Sequence, residues 1–284
     1  MRRVREAIRA VLEEDSPMTV RQVFYRLVSG SIIAMTETEY KGTVSRLLSD
    51  MRRTGEIPYG WVADNTRWMR KGKSYSSLGQ ALARTAATYR RALWDTQPVY
   101  VEIWLEKDAL SGVLYDVTSE WDVPLMVTRG YPSLSFLHEA ARDIQEQAKP
   151  AHLFYFGDYD PSGLDIPRAT EAGLRGMAPQ AEIHFTRVAV TEEQISEFGL
   201  PTRPTKTTDT RSKGFAGESV EVDAIPPATL REMAERCITE YVDRRALDVL
   251  RVAERCERAI LYQLCSSGGA NKPRPADHEE GGDV

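Results

Sequence analysis

Four short apolar runs dominate the middle of this chain: VYVEIWLE from Val99, PLMVT from Pro124, HLFYFG from His152 and EIHFTRVAV from Glu182. In the first, Val99, Val101, Ile103 and Leu105 alternate with a period of two, the spacing of a strand. Helical patterns lie between the runs. Leu110, Val113, Leu114 and Val117 mark one in the first gap, residues 134 to 147 fill the second, and a further helical segment precedes the fourth run. Strands separated by helices leave no room for tight hairpins, so the expected fold is α/β, with a parallel sheet covered on both faces.

In such a sheet, reactive groups gather where the strands end. Glu106 ends the first strand, and Asp158 and Asp160, within FYFGDYDPSG, end the third, 52 residues after Glu106. A crossover topology brings these ends to one edge. Carboxylates brought together repel unless a cation sits among them. Oxygen ligands without His or Cys favour Mg²⁺, with Mn²⁺ as a substitute, over zinc. The local alternative is that the two aspartates cap the turn through Asx hydrogen bonds; the separate glutamate favours the metal.

Residues 2 to 14 read as one helix, and Thr19 with Gln22, then Thr36 with Glu39, repeat a capping-box pattern that opens a second and a third. In the third helix Tyr40, Val44, Leu47, Leu48 and Met51 share the apolar face, opposite Lys41, Gly42, Ser45, Ser49, Arg52 and Arg53. Small residues allow close approach to a groove while cations meet phosphates, which makes Lys41, Arg52 and Arg53 candidate DNA contacts on a recognition helix. GEIPYGWVADNTRW then reads as strand, turn and strand, the wing of a winged helix. Charge divides the same way. Residues 1 to 95 hold 17 Lys and Arg against 10 Asp and Glu, and the remainder 20 against 32, so a net charge of −5 conceals a basic module joined to an acidic one. The expected organisation is a winged-helix domain over residues 1–65, a basic and helical connector over 66–97, the α/β domain with two closing helices over 98–265, and a disordered tail over 266–284. Within the α/β domain, residues 200–219 read as an irregular excursion and VEVDAI, from Val220, as a short strand.

LEKDA (105–109) and GDYDPSGLDI (157–166) resemble the paired signatures of the Toprim domain, a Rossmann-like fold, in the form carried by the A subunit of topoisomerase VI and the meiotic double-strand-break transesterase. RQVFY (21–25) resembles the winged-helix motif of those proteins that carries the DNA-cleaving tyrosine, and VEVDAIPPATL (220–230) a segment near their C-terminal end. The order of motifs is kept over roughly residues 15 to 245, and in size the chain is similar to the compact Mini-A relatives. The resemblance implies that Glu106, Asp158 and Asp160 hold Mg²⁺ and that Tyr25 is the nucleophile. It further implies cleavage and rejoining of double-stranded DNA through a 5′-phosphotyrosyl link, by a homodimer in which the tyrosine of one protomer meets the metal site of the other. TRGYPS (128–133) departs from the family's Gly-Lys-Gly-x-Pro-Asp type of stretch and leaves Arg129 as the basic residue of that loop. Phe24 stands where relatives can carry a second tyrosine.

At helical spacing Tyr25 points about 130° away from the apolar direction set by Val20, Val23, Phe24, Leu27 and Val28. It therefore reads as off the core, with Arg21 one turn earlier placed to hold a phosphate and favour the phenolate. The alternative is an interfacial tyrosine bonded to a backbone group. Two other functions compete: a metal-dependent nuclease with water as nucleophile, and a non-catalytic DNA-binding regulator. No GxxxxGK[ST] phosphate loop occurs, so ATP dependence would have to come from a separate ATPase B-type subunit. No apolar run approaches the ~20 residues of a membrane span, and the first residues lack a signal-peptide pattern, so a cytoplasmic, nucleoid-associated protein is expected. Cys237, Cys256 and Cys265, with no CxxC pair or neighbouring His, read as reduced core residues.

Overall fold

The alternation of strand and helix is realised between Tyr100 and Ala189. A computed structural model describes residues 1–63, 72–204, 215 and 218–268. The chain divides into two compact units, one of Met1–Trp68 with Gln97–Val242, the other of Met69–Thr96 with Asp243–Val284.

The first unit contains a four-stranded, all-parallel sheet of β1 (Tyr100–Leu105), β2 (Leu125–Val127), β3 (Ala151–Phe156) and β4 (Ile183–Ala189), in the order β2-β1-β3-β4. The chain leaves β1 in one direction to form β2, then crosses back to place β3 on the other side of β1. Right-handed crossovers put the helix of the first step, α5 (Ser111–Glu120), on one face and those of the later steps, α6 (Leu134–Gln147) and α7 (Pro161–Met177), on the other. Every residue of β1 is buried, as a strand covered on both faces requires. Trp104 and Tyr155 pack with Leu137, Ala141, Ile144, Ile166 and Leu174 under α6 and α7, while α5 packs against α9 (Pro227–Thr239).

Before the sheet come α1 (Arg2–Glu14), α2 (Val20–Ser29) and α3 (Arg46–Arg53). The capping box at Thr19 and Gln22 forms as expected. Thr36 also accepts from the Glu39 amide, at 3.2 Å, but Glu39–Ser45 winds as a π-helix before α3, with the Ser45 hydroxyl donating to the Tyr40 carbonyl five residues back. Val44, Leu47, Leu48 and Met51 form the buried face, and Lys41 and Arg53 are exposed.

Among the described residues neither the expected hairpin nor the expected strand at VEVDAI forms. Over the described part of the hairpin, residues 54–63, the chain makes a 3₁₀ turn at Tyr59–Trp61 and a single parallel bridge between Met18 and Val62. Gly55, with φ of 76°, and Pro58, which lacks an N–H, interrupt the segment before a ladder can build; the end of the expected second strand lies outside the described residues. Near VEVDAI the chain forms two isolated antiparallel bridges, Tyr159 to Val220 and Arg203 to Ser219, and a 3₁₀ turn at Val222–Ala224. The Val222 amide donates to the Asp158 carboxylate rather than to a strand partner.

In the second unit α4 (Leu78–Thr88) packs along α10 (Arg244–Gly268). Glu257 accepts from the Tyr89 hydroxyl at 2.6 Å, and Arg258 donates to the Tyr89 carbonyl. α8 (Glu192–Glu197), back in the first unit, completes the elements named here. The cysteines depart from the core reading: Cys237 and Cys265 are half-buried and Cys256 is exposed. Of the expected basic stretch at 66–76, residues 66–71 lie outside the described residues, as do most of 205–217 and the tail beyond 268. Among the described residues no helix is long and apolar enough to cross a membrane.

Candidate active site at the carboxyl edge of the sheet

β1 and β3 are neighbours in register, Leu105 opposite Phe156, and the Glu106 amide continues the ladder by donating to the Phe156 carbonyl at 2.9 Å. Glu106 and Asp158 therefore leave the sheet side by side, between the two strands where the winding direction reverses. That is the position at which open α/β sheets bind their ligands. The Asp158 amide donates to Glu106 Oε2 at 3.0 Å, and the Tyr155 hydroxyl donates to the same oxygen at 3.2 Å. Gly157 makes this approach feasible: a Cβ there would lie 2.5 Å from Glu106 Oε2 and 2.5 Å from the Tyr155 ring. Gly163 does the same for α7, since a Cβ would lie 2.2 Å from the Asp158 carbonyl oxygen.

Each of the three expected ligands has one oxygen committed to the backbone. Glu106 uses Oε2, Asp158 uses Oδ1 for the Val222 amide at 2.9 Å, and Asp160 uses Oδ1 to cap α7 through the Gly163 amide at 2.7 Å. The capping role foreseen as an alternative for the aspartates is thus real for Asp160. It leaves Oδ2 without a recorded partner, as it does Oε1 of Glu106 and Oδ2 of Asp158 among the described residues. Burial and the neighbouring Asp158 charge push Glu106 up to about 7, and burial raises Asp158 against the pull of Lys107. Hard oxygen donors in such an anionic recess suit a hexacoordinate divalent ion that keeps several waters. Among the described residues, however, no three Asp, Glu, His or Cys side chains come together as a group that could hold a metal ion, so Glu106, Asp158 and Asp160 do not form a preassembled three-carboxylate site. Arg187 on β4 secures the turn, donating to the carbonyls of Gly157, Asp158, Gly163 and Val190 at 3.3, 2.6, 2.7 and 3.0 Å.

Facing these acids is an ionic network that sequence reasoning did not assign. Lys107 Nζ lies 3.0 Å from Asp158 Oδ1, 3.3 Å from Glu221 Oε2 and 2.7 Å from Asp223 Oδ2. Burial would lower the ammonium, but Asp223, Asp158 and Glu221 outweigh it and hold Lys107 well above its ordinary range. Glu221 also receives both Arg21 contacts, at 3.0 and 2.9 Å, and an ion pair from Arg203. The signal was available in VEVDAI: Glu221 and Asp223 alternate with Val220 and Val222, and all four are buried.

The tyrosine helix meets this network directly, with α2 packed against α1, the π-helical segment and the Val222–Ala224 turn. Tyr25 is 2% exposed, which corrects its reading as off the core: α2 is buried on both sides, and its second side faces charge rather than solvent. Its hydroxyl has no hydrogen-bond partner among the described residues. Burial and the Glu221 charge push the phenol up to about 12, against Arg203, Lys107 and Arg21. Arg21 does not prevail because its guanidinium is bound to Glu221 and stacked over Tyr40 at 4.4 Å. Lys41 pairs with Glu37 at 3.0 Å, Arg52 lies over Tyr59, and Arg129 pairs with Asp108 at 2.8 Å. Thr19, Arg21, Tyr40, Arg52, Lys107 and Asp158 contribute to the wall of a cavity of about 480 Å³. Neither the protein-family models nor the curated proteins give a match to this chain.

Proposed function

We propose that this chain cleaves and rejoins duplex DNA by tyrosine transesterification, as a type IIB topoisomerase A-like enzyme with a helical, DNA-binding N-terminal region and a Toprim-type sheet. The observation that carries this reading is the meeting, in one compact unit, of Glu106 and Asp158 at the reversal point of the sheet with an ionic network that docks the Tyr25 helix. In the proposed step the Tyr25 oxygen attacks a backbone phosphorus and releases its proton to solvent. The bond from phosphorus to the 3′ oxygen breaks, that oxygen takes up a proton, and the 5′ end stays on the tyrosine. Reversal reseals the strand with no external energy source. Glu106, Asp158 and Asp160 would hold Mg²⁺, which when bound supplies charge stabilisation to phosphoryl oxygens. Arg21 and Arg52 join Lys107 as cations of the cavity wall for a phosphate, with Lys41 on the π-helical segment and Arg53 on α3 meeting the duplex. A homodimer supplies one tyrosine for each strand.

A specific observation favours a second reading. A tyrosine 2% exposed and pushed up to about 12 is a poor nucleophile until its surroundings change, so water could attack instead in a hydrolytic nuclease. Trapping decides. Incubation with duplex and Mg²⁺ followed by rapid denaturation is expected to yield a protein-linked 5′ end with the wild type and none with Tyr25→Phe, while duplex affinity is retained. Free 5′-phosphate ends produced equally by both proteins would establish the nuclease.

A further inference from the structure

We propose that Lys107 is a positioning residue that couples the tyrosine helix to the carboxylates at the strand ends. This inference rests on the transesterase reading for its catalytic consequence, and on geometry alone for the coupling. Lys107 leaves β1 next to Glu106, and its ammonium is shared by three carboxylates drawn from two distant segments. Each of those carboxylates holds something else. Asp158 takes the Val222 amide and gives its own amide to Glu106. Asp223 accepts from the Thr19 hydroxyl at 3.2 Å, at the cap of α2. Glu221 holds Arg21, on the first turn of the same helix. One side chain thus joins the acid recess to both fixed points of the helix that presents Tyr25, which lies one turn beyond Arg21.

The three carboxylates border the same cavity as Lys107, but water entering from it brings no charge to offset their burial. Asp223 is 2% and Glu221 5% exposed, and among the described residues the side-chain hydrogen bonds of Asp223 are those with Thr19 and Lys107. Arg21 and Arg203 remain for Glu221, whereas among the described residues Lys107 is the one ion-pair partner of Asp223, which otherwise feels only the more distant charge of Arg21. Without the ammonium a buried carboxylate is left with one hydroxyl, and the cheapest relief is for the Val222–Ala224 turn and the α2 cap to separate and admit water. The phenol would then lose its fixed distance from Glu106 and Asp158, and small displacements of a reacting group cost large factors in rate.

The test uses the full chain. In amide hydrogen exchange without DNA, Lys107→Met is expected to speed exchange over α2 by about tenfold or more, with β1 and β3 unchanged. Asp223→Asn, which keeps shape and removes the charge, is expected to do the same to a smaller extent and serves if Lys107→Met fails to fold. At saturating duplex, Lys107→Met is expected to slow covalent adduct formation by about tenfold or more at a duplex Kd within about twofold of wild type, and Lys107→Arg to restore most of the rate. Unchanged exchange over α2 in both variants would overturn the coupling. An unchanged adduct rate, or a lost rate that Lys107→Arg leaves low, would overturn the positioning role. Cleavage that persists in Tyr25→Phe would instead remove the transesterase reading, with the exchange result still deciding whether Lys107 docks α2.

Discussion

Glu102 shows what a single carboxylate does when a sheet closes over it. It sits in β1, 1% exposed, and among the described residues its donors are the Tyr100 hydroxyl at 3.0 Å and the Trp104 indole at 2.7 Å. Burial, partly offset by these two bonds, pushes it from 4.5 up to about 7. Below the ordinary value the carboxyl is protonated in the folded and unfolded chain alike. As pH rises the unfolded chain gives up its proton near 4.5, while the folded chain keeps its own until about 7. Stability therefore falls across that window, by an amount on the order of 3 kcal/mol, and levels off above it. Glu102→Gln is expected to flatten this part of the pH profile and to raise the urea midpoint at pH 8 while leaving it nearly unchanged at pH 4.5. A variant as pH-sensitive as wild type would mean that other groups set the slope. The residue was invisible to pattern reading because it alternates with Val101 and Ile103 as a solvent-facing strand position would; only the second helical layer makes it a buried one.

At the scale of elements, α2 is fixed less by its own turns than by its first residue. Thr19 accepts from the Gln22 amide, Gln22 returns a bond to the Thr19 amide, and the Thr19 hydroxyl donates to Asp223. Thr19→Ala removes both roles of the hydroxyl and is expected to lower stability by about 1–2 kcal/mol in urea unfolding, with Thr19→Ser recovering most of the loss. Equal losses in Ala and Ser would point to the methyl group instead. This cap was legible in the sequence, because its two members are three residues apart and bond to each other. So were the four strands and α6, whose periodicities run for several residues. The Val222–Ala224 turn was not: its apolar alternation matches a strand, and its conformation is decided by Asp158, 64 residues away. Tyr25 failed for a related reason. Periodicity identifies the more apolar side of a helix, and it carries no information about a second partner that buries the other side with charges. The convergence of Glu106 and Asp158 was foreseen, whereas Lys107, adjacent to Glu106 in LEKDA, needed the partners on residues 221 and 223 to acquire a role.

For the whole molecule, the uneven charge of the chain gives the proposed DNA interface a distinct signature. Cations on the first 95 residues release counterions from a duplex, so affinity is expected to drop steeply with added salt. Reversing Arg52 and Arg53 to Glu is expected to weaken binding of every duplex tested and to lower the slope of log affinity against log salt by about 2, without changing divalent-ion binding. An unaltered slope would place the duplex elsewhere. The docking of α2 also bears on how the protein is made. Thr19 and Arg21 wait for partners that lie 204 and 200 residues further along the chain. At about 5–20 residues per second of synthesis, the tyrosine helix spends some ~10–40 s outside the ribosome before its anchoring carboxylates exist. A sheet whose every neighbour requires a crossover adds to that delay, since non-local contacts are slow to form. The nascent chain therefore carries its proposed nucleophile on an undocked helix, and acquires the assembled site only once residues 221 to 223 have been made.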